Sequence, residues 1–165
     1  MGKRTDKYAN LMNAHVITNG ATAVHEEIQT GVSLGEGKGI IIDEINYQIN
    51  QTVITDFIAG AAGDYLACTF SVQGDEFGLD NVRVIHEHQI TKWDDGTAAN
   101  SYLINQPAVY QFNPPIIVAS PRVYFNCIAS ASIAGGAVYA RVFFRYVDLS
   151  SQEYLELAES FVLMQ

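Results

Sequence analysis

The stretch Val138-Tyr139-Ala140-Arg141-Val142-Phe143-Phe144-Arg145-Tyr146-Val147-Asp148-Leu149 decides how this chain folds. Val138, Ala140, Val142, Phe144 and Tyr146 recur at period two, with Tyr139, Arg141, Phe143, Arg145 and Val147 between them. Alternate residues of a strand point to opposite faces, whereas a helix would need its apolar residues three and four apart. Valine and the aromatic residues also fit a pleated surface well. The stretch is therefore a strand, and the bulky residues on both sides predict that both faces of its centre are at least partly covered.

Immediately downstream the period changes. Ser150 followed by Glu153 is a capping box, with Leu149 and Tyr154 placed for a hydrophobic staple. Tyr154, Leu157, Ala158 and Phe161 follow helical spacing, while Glu153, Glu156 and Glu159 form a solvated face. Residues 150–165 read as a short C-terminal helix whose apolar stripe must pack on the sheet or on a neighbouring subunit.

Upstream, short β-like runs are separated by Gly, Pro, Asn and Asp clusters, the pattern of a sandwich or barrel. Ala23 to Thr30, Ile40 to Ile49, Tyr65 to Gln73, Val82 to Thr91, Ala108 to Phe112, Ile116 to Ala119 and a run through Val123, Phe125, Cys127 and Ala129 complete about eight strands. Phe57 to Gly63 reads as a small flexible segment, and Asp94 to Asn105 as a long polar loop. Pro114-Pro115 and Pro121 mark strand ends. In residues 1–22, Tyr8, Leu11, Met12, Val16 and Ile17 are too scattered for a helix face, so this segment is expected to be an extended arm. Residues 23–149 form the sandwich, and no linker divides the chain.

Composition narrows the function. The 165 residues are 48% hydrophobic, with nine Tyr and eight Phe, but only 16% charged. That is low for a fully solvated surface and suggests that a partner covers part of it. The formal net charge is −9, although Lys3, Arg4 and Lys7 against Asp6 leave the first seven residues net positive. An acidic body repels phosphate backbones, which argues against nucleic-acid binding on the folded domain. No run approaches the ~20 apolar residues of a transmembrane helix, and no signal-peptide core is legible, so folding in a cytosol is expected. Cys68 and Cys127 lie in alternating apolar runs and read as buried free thiols.

Few residues suggest chemistry. Gly35-Glu36-Gly37-Lys38-Gly39 lacks the first Gly and the hydroxyl residue of a P-loop and leads into a strand. His86-Glu87-His88 puts two imidazoles on one strand face and resembles part of the first cupin motif, but Thr91-Lys92-Trp93 supplies no following Glu, so the pair is expected to be partly exposed or to face a neighbouring subunit. The carboxylate neighbours Glu26-Glu27, Asp43-Glu44, Asp75-Glu76 and Asp94-Asp95 point to opposite faces if on strands. Asp43, Glu44, Asp75 and Asp80 lack the local spacing of a calcium loop. The expectation is no catalytic, cofactor-binding or metal-ligating residue, no cofactor and no enzyme activity.

The long aromatic strand Ala140-Arg141-Val142-Phe143-Phe144-Arg145-Tyr146 running into Ser150-Ser151-Gln152-Glu153-Tyr154-Leu155-Glu156, together with the strand layout, resembles single jelly-roll viral capsid and capsid-decoration proteins. That resemblance implies an all-β, jelly-roll-like β-sandwich of about eight strands with a short C-terminal α-helix. It implies a structural virion protein, a shell or cement subunit, acting by self-association and by contacts with other shell proteins. It further implies location in the virion after assembly in the host cytoplasm, with no small-molecule substrate. The alternatives are a carbohydrate-binding β-sandwich, with Trp93, Tyr102 and Tyr110 as a stacking platform, and then a cupin-like metal protein.

Overall fold

The computed structural model describes residues 3, 4, 6, 8–33, 36–94, 101–105 and 108–162. Its strands are β1 (Lys3–Arg4), β2 (Asn10–Asn19), β3 (Val24–Gln29), β4 (Lys38–Ile49), β5 (Tyr65–Ser71), β6 (Val84–Asp94), β7 (Ser101–Asn105), β8 (Val109–Val118), β9 (Arg122–Ala129) and β10 (Ala134–Asp148). Helix α1 (Gln51–Ala59) lies between β4 and β5, and α2 (Ser151–Val162) follows β10.

Two antiparallel sheets face each other. The first runs β2-β10-β4-β8, with β1 also on β10; the second runs β3-β9-β5-β6-β7. With β1 and β7 set aside, eight strands remain, and they pair from the outside inward: β2 with β10, β3 with β9, β4 with β8 and β5 with β6. This is one long hairpin rolled up on itself, the jelly roll. The opening stretch is its centre: β10 pairs with β2 on one side and β4 on the other. Val138, Ala140, Val142 and Phe144 are buried against Ile42, Ile45, Phe70 and Phe125 in one core between the sheets.

The other face of β10 has two halves. At one end α2 lies across it, and Val147, Leu149, Ile41 and Ala119 form a second cluster with Tyr154 and Leu157. The capping box forms: Ser150 N donates to Glu153 Oε2 at 2.9 Å and Glu153 N to Ser150 Oγ at 3.2 Å. Ala158 and Phe161 lie outside the residues with described side chains. At the other end Tyr139 and Arg141 are exposed, so only part of the expected covering is present within one chain.

Four expectations need correction. Residues 1–22 are not wholly an arm, because Asn10–Asn19 is β2 and buries Ala14, Val16 and Thr18. The alternation was there as Met12, Ala14, Val16 and Thr18, but small and hydroxylated members of that row hide it. The segment Phe57 to Gly63, expected to be flexible, begins inside a helix: Asn50 caps α1 by accepting from Val53 N at 3.1 Å, and Val53 and Phe57, four apart, are buried. The stretch expected to be a loop from Asp94 to Asn105 contains strand at both described ends, Asp94 closing β6 and Ser101–Asn105 pairing with it; residues 95–100 lie outside the description. The two runs around Pro114-Pro115 are one strand, β8. Its free edge needs no N–H from either proline, and the register shift between Ile42 and Glu44 of β4 accommodates the irregularity.

Helix α1 also explains a buried lysine. Lys92, 8% exposed, sends Nζ to the carbonyls of Ile58 at 3.1 Å and Gly60 at 2.5 Å. A cation at the C-terminal end of a helix satisfies carbonyls that have no intrahelical donor.

Candidate functional site

The two histidines share one face of β6, as their spacing requires, but that face is the inner one between the sheets rather than a partly exposed or subunit-facing surface, because Tyr47 of β4 and Tyr110 of β8 pack over both rings. His88 is 2% exposed. Its ring lies flat on Tyr47, with centroids 4.8 Å apart at an angle of 10°. His86 Nδ1 meets the Tyr47 hydroxyl at 2.9 Å, and its ring packs 4.0 Å from Tyr110 and 5.4 Å from Phe112. Tyr110 Oη is 3.4 Å from His88 Nδ1. The imidazoles are thus engaged by tyrosines of β4 and β8. Burial, and then the neighbouring His88, lowers the His86 pKa to about 4, so the ring is neutral at physiological pH. Burial likewise raises the Tyr47 hydroxyl well above its ordinary value.

Cys68 and Cys127 face each other directly across β5 and β9 and remain free thiols in the core. The Cys127 side chain, through a hydrogen bond, and then burial push the Cys68 thiol up, which suppresses the reactive thiolate. Among the described residues no group of three or more His, Cys, Asp or Glu converges to hold a metal ion. Asp43 is held by Arg145 in a two-pronged ion pair, with Nε at 2.7 Å. Asp75 Oδ1 sits 2.9 Å from His25 Nδ1. The Gly-rich stretch runs into a strand, as expected, with Lys38 and Gly39 already the first two residues of β4.

The outer face of the second sheet is partly roofed by the segment 72–83. Asn126, fully buried, donates Nδ2 to Thr69 Oγ1 at 3.0 Å and Ser71 Oγ at 2.7 Å, and accepts from Asp75 N at 2.9 Å. Glu87 accepts from Gly78 N at 3.0 Å, and Thr69 Oγ1 donates to Glu76 O at 2.6 Å. Arg83 and Asn81 hold the Glu76 carboxylate and lower its pKa, Arg83 foremost. Sequence reading missed this network because its members are separated by up to 57 positions and none belongs to a motif.

Beyond the roof, Trp93 and Tyr102 stand opposite each other on β6 and β7, 48% and 57% exposed, with ring centroids 5.9 Å apart at 29°. Tyr110 does not join them, being between the sheets with His86. On the first sheet, the half not covered by α2 presents Tyr139, Arg141, Asn13, Asn46, Gln48 and Val109 around a depression of about 540 Å³. Leu11 and Ile17 stand exposed beside it on β2.

The sequence matches no protein-family profile and no curated protein sequence. In three dimensions it is similar to VP1 of Trichodysplasia spinulosa-associated polyomavirus, solved with GM1 oligosaccharide: TM-score 0.51 and 7% identity over 90% of this chain and 98% of that one. It is also similar to Merkel cell polyomavirus VP1 solved with 3'-sialyllactosamine, at TM-score 0.46 and 8% identity over 90% and 98% of the two chains. Tomato aspermy virus gives a TM-score of 0.41 and 8% identity over 88% and 81%. At such identities the likeness is one of fold, and the fold of this chain is the jelly roll of viral capsid proteins.

Proposed function

We propose that the chain is a structural virion protein, a capsid shell or cement subunit that acts by binding copies of itself and other shell proteins. The observation that carries this reading is the jelly-roll match to the polyomavirus VP1 above, which spans nearly all of both chains. The use of polar side chains supports it. His86, His88, Asn126, Lys92 and Arg145 are spent on holding strands, a roof and a helix in place. Leu11, Ile17, Val109, Trp93, Tyr102 and Tyr139 meanwhile stand exposed on sheet faces, where apolar and aromatic side chains serve association. In this reading the chain catalyses nothing, needs no cofactor, and resides in the virion after assembly in the host cytoplasm. Sedimentation velocity and electron microscopy of the purified full chain test it. Closed oligomers or particles are expected, or particles once another shell protein is added; a monomer at every concentration that also binds no shell would overturn it.

The Trp93–Tyr102 pair favours a second reading, glycan binding, in line with the oligosaccharide in the VP1 complex. Exposed aromatic faces stack on the apolar face of a sugar ring. Trp93 is the sole tryptophan, so its fluorescence reports on this spot alone. A saturable change with oligosaccharide, lost in Tyr102→Ala, would support the reading, and an unchanged spectrum at millimolar glycan would remove it.

A further inference from the structure

Among the described arginine side chains, Arg83 holds Glu76, Arg122 holds Glu27 and Arg145 holds Asp43. Arg141 differs. Its Nε donates to Asn13 Oδ1 at 3.2 Å, and no described carboxylate pairs with it. Glu44 shows the complementary condition, accepting from Gln111 Nε2 at 2.9 Å with no described cation beside it.

The two share one face. Arg141 stands opposite Asn46 in the β10–β4 ladder, and Glu44 lies two residues along β4, opposite Phe143. Diagonal neighbours of this kind are about 7–8 Å apart and within reach of long side chains, yet here each is turned to an amide instead, Arg141 to Asn13 and Glu44 to Gln111. Around them Leu11, Ile17, Val109 and Tyr139 are 48%, 51%, 53% and 43% exposed. An aromatic and an arginine among exposed aliphatics have the composition of a protein contact. A face carrying one cation and one anion side by side is self-complementary under a two-fold rotation, which brings each charge over its opposite.

We propose that this open half of the first sheet is a two-fold contact between copies of the chain, in which Arg141 pairs with Glu44 of the partner subunit while Leu11, Ile17, Val109 and Tyr139 pack across the axis. The contact rests on the shell-subunit reading and names one of its interfaces. A second copy fits better than an unrelated anionic partner, because the face then supplies both charges and the contact adds no net charge between two acidic bodies. Six residues along β2 at about 3.4 Å and three strand spacings of about 4.8 Å span roughly 20 by 15 Å before side chains are counted. That is a small interface, so it is measured at high protein concentration.

The test is sedimentation equilibrium of the full chain, with far-UV circular dichroism confirming that each variant is folded. Arg141→Glu and Glu44→Arg should each weaken self-association at least about tenfold, and the double variant Arg141→Glu/Glu44→Arg should restore it to within about threefold of wild type. Wild-type association unaffected by either single variant, or a double variant as weak as the singles, would overturn this contact and leave the shell reading intact. A wild-type chain that stays monomeric with or without shell partners would overturn both.

Discussion

Acid should loosen the sandwich through His86. Its ring is packed against Tyr47 of β4, Tyr110 and Phe112 of β8, and lies beside His88 on its own strand. The folded chain holds its pKa at about 4, against an ordinary value of 6.5. Between these pH values the unfolded chain binds more protons than the folded one, so stability falls as pH falls. Above pH 6.5 the contribution is fully present. At ~1.4 kcal/mol per pH unit, the loss between pH 7.5 and pH 5 is bounded at about 2 kcal/mol, and part-exposure of the ring brings it to about 1 kcal/mol. The assay is urea unfolding at both pH values and one protein concentration, for wild type and His86→Phe. The variant pays a constant penalty for leaving the Tyr47 hydroxyl without its partner, so the difference between the two pH values is the quantity compared. It should be smaller in the variant by about 1 kcal/mol. Equal losses in the two proteins would refute the reasoning.

Asn126→Ala removes the amide that ties Thr69, Ser71 and the Asp75 backbone together; a loss of about 2–4 kcal/mol is expected, with faster hydrogen exchange in residues 72–83, and unchanged exchange would show that the roof is held by other means. Lys92→Met keeps the aliphatic stem but leaves the Ile58 and Gly60 carbonyls without their donor, which should cost about 1–3 kcal/mol in chemical unfolding. Deleting residues 1–20 removes β2 and bares the edge of β10, so cooperative thermal unfolding should be lost; a melting curve like wild type would contradict the placement of β2 in the sheet. Cys68 and Cys127, both fully buried, should resist a thiol reagent in native protein and react at the rate of unfolding.

Polar groups in this fold are arranged by distance in sequence rather than by motif. The His86–Tyr47 contact joins positions 39 apart and the Arg145–Asp43 pair positions 102 apart. Each fastens one strand to another, and the roof over the second sheet does the same for a connecting segment. The two sheets therefore present different outer surfaces, one roofed by polar residues and the other shared between α2 and an open patch.

The sequence by itself determined the strand periods, the capping box of α2, the placing of His86 and His88 on one strand face, and the burial of both cysteines. These depend on residues two to four apart, and local geometry settles them. The tertiary structure decided what short-range pattern cannot express. It placed β2 in the sheet, where Ala14 and Thr18 are core residues because β10 lies beside them and not because they are strongly apolar. It made α1 from a nine-residue segment whose helical face is only Val53 and Phe57, with Lys92 of a distant strand closing its end. It sent Tyr110 between the sheets and away from Trp93, since that choice depends on which face of β8 meets β6. It also left Arg141 and Glu44 on one face without ionic partners among the described residues, because the rolled hairpin brings β4 and β10 together in a register that no spacing along the chain reveals.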